Sequence, residues 1–182
     1  MADVAFLRSL LGEHPNFPKE GIVFLDLFPI LRNPVAFETL ITHFVHHIVS
    51  KTLANTSKGV DVVVGLDARG FLLGPIIALR LGAAFVPVRK RGKLPGQCIS
   101  AVYEKEYGQD IFEMQADAIK PGQTVIVIDD LIATGGSAKA AGELVQQQGG
   151  NTLEYLFVIG LSFLKGESKL DAPAYSMIEV ND

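Results

Sequence analysis

Apolar residues along the chain follow two alternating spacings. Val4, Leu7, Leu10 and Leu11 fall on one face of a short helix, which His14-Pro15-Asn16-Phe17-Pro18 ends. Gly21 then opens Ile22 to Phe28, a mixed apolar stretch that predicts a short strand or a hood over a ligand. Asn33 before Pro34 is an N-cap and first-turn pair, after which Phe37, Leu40, Ile41, Phe44, Val45, Ile48 and Val49 recur at helical spacing. Gly59 to Leu66 reads as a buried strand that runs into a glycine-flanked polar turn. The spacing of Phe71, Leu72, Ile76, Ile77 and 79–81 then predicts a helix. Ala83 to Val88 is a further strand, followed by the basic run 89–93 and the turn Leu94-Pro95-Gly96-Gln97. Residues 100–108 are polar and aromatic without a clean period, which predicts a mobile loop or a hairpin with Ile111 to Gln115 as its returning strand.

The clearest element comes next. Thr124 to Ile128, started by Pro121-Gly122, is too short for a helix and rich in β-branched residues, so it reads as a strand covered on both faces. Asp129 and Asp130 follow it, then small residues and hydroxyls, then an amphipathic helix from about Ser137 through Val145 that Gly149-Gly150 stops. Thr152 to Ile159 is another strand, and Tyr175 to Val180 a last, more exposed one. Strands alternating with helices predict an α/β fold, with a mostly parallel central sheet flanked by helices on both faces. No repeat or linker interrupts it, so residues 1–182 are expected to form a single domain.

Composition narrows the functions open to such a fold. The chain has 182 residues, 48% of them hydrophobic and 20% charged, enough for one well-filled core. A formal net charge of −4 excludes the global basic field that drives nucleic-acid binding, so any polyanion must be held locally. Cys98 is the single cysteine, which rules out an internal disulfide and fits a reducing compartment. The first residues lack a basic leader and the apolar runs are too short for a bilayer, which predicts a soluble, cytoplasmic protein with no membrane partner. His43, His46 and His47 share a helix at spacings that can hold a metal. No cysteine is near and Glu38 is badly spaced to join them, so packing or solvation is the expected role.

Taken alone, Asp129-Asp130 reads equally well as an N-cap with a solvated surface charge or as functional chemistry. Its neighbours change that. Ala133-Thr134-Gly135-Gly136-Ser137 brings small residues, hydroxyls and main-chain N–H groups to a helix N-terminus, where the helix dipole and unpaired donors stabilise a phosphate. Carboxylates beside a phosphate cradle make sense if they face the hydroxyls of a sugar attached to that phosphate, and negative charge there stabilises cationic character on the ring. Neither G-x-x-x-x-G-K-[ST] nor a G-x-G-x-x-G after the first strand is present, which disfavours a P-loop nucleotidase and a dinucleotide fold.

The Val125–Ser137 segment, four apolar residues, two acids, two apolar residues and Ala-Thr-Gly-Gly-Ser, closely resembles the phosphoribosyl-diphosphate (PRPP) motif of type I phosphoribosyltransferases. Phe17-Pro18 with Gly21-Ile22-Val23-Phe24, Gly65-Leu66-Asp67-Ala68-Arg69-Gly70-Phe71, Arg89-Lys90-Arg91-Gly92-Lys93-Leu94-Pro95-Gly96 and Glu106-Tyr107-Gly108 resemble the branch of that family that uses adenine. The resemblance implies the type I fold with an N-terminal hood over 1–32 and a flexible loop. It also implies a homodimer and the transfer of phosphoribosyl from PRPP to adenine, giving AMP and diphosphate. It assigns Asp129 and Asp130 to the ribose hydroxyls, directly or through Mg²⁺ and water, and Ala133, Thr134, Gly135, Gly136 and Ser137 to the 5′-phosphate. Asp67, Ala68 and Arg69 would form the diphosphate loop, with a cis peptide between Asp67 and Ala68, and Arg89, Lys90 and Lys93 would join as diphosphate ligands, some reaching a neighbouring subunit. Glu106 would be the general acid or base, with Tyr107 closing over it. Adenine would lie between Phe24 and Leu131, bonded by main chain near Val23 and Leu25, where some relatives have arginine. Another purine base, or a non-catalytic PRPP sensor, remains an alternative.

Overall fold

In a computed structural model, residues 2–54, 56–104 and 109–181 are described. The chain divides into two compact units, residues 1–47 and 48–182.

In the first unit, α1 (Ala2–Leu10) and α2 (Phe28–Leu31) both pack on α3 (Pro34–His47). Asn33 Oδ1 accepts from the N–H groups of Val35 and Ala36 at 3.1 and 3.2 Å, so the Asn-Pro start of α3 is a working cap. A hairpin of β1 (Gly12–Pro15) and β2 (Val23–Asp26) pairs Gly12 with Asp26 and Pro15 with Val23. The extended stretch from Ile22 stops at Asp26 because that carboxylate accepts the Phe28 N–H at 2.9 Å and turns the chain into α2, which the apolar pattern alone did not signal. His43 is buried, and its Nδ1 lies 2.5 Å from Asp3 Oδ2, a bond that fastens α1 to α3. The contact holds the Asp3 carboxyl below its usual range.

The second unit is built on a seven-stranded sheet: β3 (Val62–Leu66), β4 (Ala84–Lys90), β5 (Cys98–Glu104), β6 (Gln109–Gln115), β7 (Thr124–Ile132), β8 (Asn151–Leu161) and β9 (Ala174–Val180). Their order across the sheet is β5-β6-β4-β3-β7-β8-β9. The five strands from β4 to β9 run parallel, and β6 and β5 add an antiparallel hairpin beyond β4. Residues 98–104 therefore take the hairpin alternative: cross-strand pairing with β6 supplies order that the side-chain pattern lacks.

Side chains alternate between the two faces of a strand, and the helices divide accordingly. On one face, Val62, Val64, Leu66, Val125 and Val127 form a core with Ala138, Ala141, Leu144 and Val145 of α5 (Gly136–Gln147). On the other face, α4 (Gly70–Leu81) settles onto Gly65, Phe85 and Ile128. That approach is close enough that a Cβ on Gly74 would meet Phe85 at 2.6 Å, and one on Gly70 would meet the Ile128 carbonyl at 2.7 Å. Glycine at both positions brings the start of α4 down against the end of β7.

Candidate active site

From β3 the chain moves outward to β4 and the hairpin, then returns to the other side of β3 as β7 and continues to β8 and β9. The carboxyl ends of β3 and β7 thus flank the point where strand order reverses, the crevice in which open α/β sheets bind ligands. Three of the expected stretches meet there.

The first is the turn after β3. The Asp67-Ala68 peptide is cis, as the resemblance implies. Asp67 N–H donates to the Val88 carbonyl at 3.0 Å, which ties the turn to β4. Arg69 occupies the position before α4, and its guanidinium forms an ion pair with the Asp130 carboxylate, joining the turn after β3 to the last residues of β7.

The second is the acidic pair. The strand does not end at Ile128 but runs to Ile132, because β8 continues beside it and pairs Leu131 with Ile159 and Ile132 with Gly160. Asp129 and Asp130 are therefore strand residues, and their alternation sends Asp130 toward Arg69. Asp130 is only 4% exposed, which a charged group tolerates when paired. Asp129, partly open to solvent, accepts the Asp130 N–H at 2.9 Å on Oδ1. Burial first, and the Asp130 charge second, push its carboxyl well above the usual carboxylate range, while Arg69 pulls the other way.

The third is the cradle before α5. Gly135 is the N-cap in the left-handed region (φ 77°), and no side chain caps the helix. The first-turn N–H groups, which a helix leaves without internal acceptors, are thus open to an external anion. Ala133 and Ser137 are half-buried and Thr134 is exposed. Behind the cradle lies Gly166, which sequence reasoning missed. A Cβ on Gly135 would collide with the Gly166 carbonyl, and one on Gly166 would lie 2.7 Å from Gly135 N. The two glycines are needed together, and nothing in Lys165-Gly166 signals a partner so far away in sequence.

The basic run 89–93 closes β4, with each of its first three cations facing a carboxylate. Arg89 Nε donates to Asp67 Oδ2 at 2.8 Å, Lys90 Nζ lies 3.3 Å from Asp110 Oδ2, and Arg91 Nε lies 3.7 Å from Glu113 Oε1. Glu113 also accepts the Gly92 N–H at 2.8 Å. Sequence reasoning did not find Asp110 and Glu113; the signal was acids on β6, which register places opposite β4 with Arg89 beside Glu113. The Lys93 side chain is exposed and forms no ion pair with the described residues.

Val23, Phe24 and Leu25 lie on β2 of the first unit, where Phe24 meets Phe17 edge to face at 5.3 Å. Leu131 is near the end of β7, partly open. Glu106 and Tyr107 lie outside the described residues.

Residues 36–182 match the phosphoribosyl transferase domain family. The adenine phosphoribosyltransferase of Yarrowia lipolytica is 56% identical over 172 residues, 94% of this chain and 93% of that protein. Adenine phosphoribosyltransferase 1 of Saccharomyces cerevisiae is 56% identical over 172 residues, 94% of this chain and 90% of that protein. The crystal structure of adenine phosphoribosyltransferase from Saccharomyces cerevisiae, complexed with D-2,5-dideoxy-2,5-imino-altritol 1,6-bisphosphate and adenine, superposes with a TM-score of 0.93 at 54% identity, covering 97% of this chain and 99% of that one.

Proposed function

The chain belongs to the phosphoribosyltransferase family, in its adenine phosphoribosyltransferase branch, and from that premise we propose that it transfers the 5-phosphoribosyl group of PRPP to adenine, giving AMP and diphosphate. The observation that carries the reading is the meeting of three groups at the sheet's switch point: an arginine-bearing turn, a carboxylate pair and an uncapped helix N-terminus.

Each part of PRPP finds a matching chemistry. The 5′-phosphate is held by Ala133, Thr134, Gly135, Gly136 and Ser137 through main-chain N–H groups, the hydroxyls of Thr134 and Ser137, and the helix dipole. The ribose hydroxyls donate to Asp129 and Asp130, whose charge also favours an oxocarbenium-like ring as the anomeric bond breaks. The leaving diphosphate is taken by Asp67, Ala68 and Arg69 and by Arg89, Lys90 and Lys93 at the basic end of β4. Mg²⁺ prefers carboxylate and water oxygens, so Asp129 and Asp130 suit it through water, and bound with PRPP it would neutralise charge on the diphosphate. The residues proposed for adenine are Val23, Phe24, Leu25 and Leu131. The absence of an arginine at position 25 leaves base recognition there to the main chain.

Glu106 is the proposed general acid or base that exchanges a proton with the purine. Replacing Glu106 with Gln is expected to lower turnover by roughly 10²-fold or more with little change in PRPP affinity, the range for a positioned acid or base; unchanged turnover would remove it from the mechanism. The reaction is tested by incubating the protein with PRPP, Mg²⁺ and each nucleobase in turn. AMP from adenine is the expected product, absence of any nucleotide leaves the sensor, and IMP or GMP moves the substrate to another purine.

A homodimer is the expected assembly. The outer side of α4 supports it: Leu72 and Leu79 are 39% and 80% exposed, one face apart by two turns, with Pro75 and Ile76 between them. A concentration-independent monomer mass would count against this. Among the described residues no helix is long and apolar enough to cross a membrane. The cytoplasm, where the free thiol of Cys98 would stay reduced, is the proposed compartment.

A further inference from the structure

Tyr155 on β8 is completely buried, yet it carries a hydroxyl that needs a partner. It finds one outside the sheet. Its O–H donates to Asp171 Oδ1 at 2.5 Å, and Gln146 Nε2, near the end of α5, donates to Asp171 Oδ2 at 2.5 Å. A single carboxylate, on an exposed residue, thereby joins β8 to α5 through charge-assisted bonds. Burial first, and the bond to Asp171 second, push the Tyr155 hydroxyl above the usual phenol range, so it stays a donor. Gly142 of α5 leaves the passage open. A Cβ there would run into the Tyr155 hydroxyl and stand 3.0 Å from Asp171 Oδ1.

Asp171 closes a segment whose other end backs the cradle. The crossover from β8 to β9, residues 162–173, contains the 3₁₀ turn Gly166–Lys169, and Gly166 is the residue packed against Ala133 and Gly135. The turn is bonded within itself: Ser168 N–H and Oγ both donate to Lys165 O, at 3.2 and 2.7 Å, and Leu170 N–H donates to Glu167 O at 3.1 Å. It therefore moves as a piece. Glu167, Ser168 and Lys169 are exposed, which leaves the two ends of the turn to hold it in place. Past Asp171, Tyr155 N–H donates to Pro173 O at 2.9 Å and the chain enters β9.

We propose that Tyr155 and Asp171 are positioning residues for the start of α5, acting through Gly166. Neither is among the groups read above as meeting PRPP. With Gln146 they clip 165–171 to α5, and the clip keeps Gly166 behind Gly135, whose left-handed backbone turns the chain into the helix. Gly142, Tyr155 and Asp171 form one unit, since the glycine admits the hydroxyl and the hydroxyl requires the acid. The functional part of the inference rests on the reading of 133–137 as a phosphate cradle.

The test uses the full chain with Tyr155→Phe, Asp171→Ala, the two combined, and Asp171→Asn. Asparagine keeps an oxygen for Tyr155, and Gln146 can turn its amide to accept from the new N–H group, so this variant should behave as the unaltered protein does. Dissociation constants are read by calorimetry for ribose 5-phosphate and for inorganic diphosphate with Mg²⁺. Hydrogen exchange without ligand is read at Leu170 and at Lys139, whose N–H donates to Gly135 O at 2.9 Å across the first turn of α5. Tyr155→Phe and Asp171→Ala should each weaken ribose 5-phosphate by roughly three- to tenfold, the scale of one hydrogen bond, and speed exchange at both amides. Diphosphate binding should not change, and the combined variant should be no worse than the weaker single one. The proposal is overturned if ribose 5-phosphate binding and Lys139 exchange are unaltered, if both ligands weaken by the same factor, or if Asp171→Asn is as weak as Asp171→Ala. Should the unaltered protein bind no ribose 5-phosphate, the cradle reading fails, while Lys139 exchange still decides whether the clip acts on the start of α5.

Discussion

Replacing Arg69 with methionine is expected to damage stability and catalysis together, and the two losses can be separated. Arg69 is paired with Asp130, whose side chain is 6% exposed against 36% for Arg69. Removing the guanidinium leaves a buried carboxylate without that partner, which costs about 1–3 kcal/mol after allowance for the solvent that reaches the arginine. For a chain of this size each kcal/mol lowers the melting temperature by roughly 2–4 °C. Adding Asp130→Asn takes away the orphaned charge, so the pair of changes should regain most of the lost melting temperature. Turnover should not return with it. Arg69 is also the cation proposed to meet the departing diphosphate, and removing such a group costs on the order of 10²–10³ in rate. Melting curves and steady-state AMP formation on the single and double variants distinguish the roles. A single variant with unaltered turnover would place Arg69 outside the chemistry, and a double variant no more stable than the single one would show that the ion pair does not hold the turn after β3 to β7.

The same pair marks where sequence reading reaches its limit. The cradle 133–137 was legible because its signals are local: a β-branched run, adjacent acids, glycines and hydroxyls, then a helical period. The parallel sheet was legible from strands alternating with helices. That β7 runs past its apolar run to Ile132 was not, since the extension depends on β8 lying alongside, and Asp129 and Asp130 look like turn residues from their polarity alone. The hairpin 98–115 was ambiguous for a related reason, as register with a distant strand decides its order. Least legible were the counter-charges. Asp110 and Glu113 lie on β6 and hold Lys90, Arg91 and Gly92, pairings that only the register between β6 and β4 brings about.

The site is also assembled at some cost to the resting protein. Asp129 is partly buried beside Asp130, and burial first and the Asp130 charge second raise its carboxyl above the ordinary range. The folded chain therefore binds that proton more tightly than the unfolded chain does. Below the unfolded value, about 3.9, both states are protonated and the group is neutral to stability. As pH rises through the window from there to the raised folded value, the unfolded state ionises first, so folding stability is progressively lost. Asp129→Asn removes this loss. The variant should melt higher than the unaltered protein at pH 8, and the difference should shrink toward zero as pH falls to about 4. Ribose hydroxyls that donate to an ionised carboxylate lose that acceptor in the amide, so AMP formation should fall by roughly 10²-fold or more. Mg²⁺ and PRPP should then raise the melting temperature of the unaltered protein by more than that of the variant, because they supply the partners that the ligand-free carboxylate lacks. A stability difference independent of pH would refute burial as the cause of the shift, and full activity in Asp129→Asn would take this carboxylate away from the sugar.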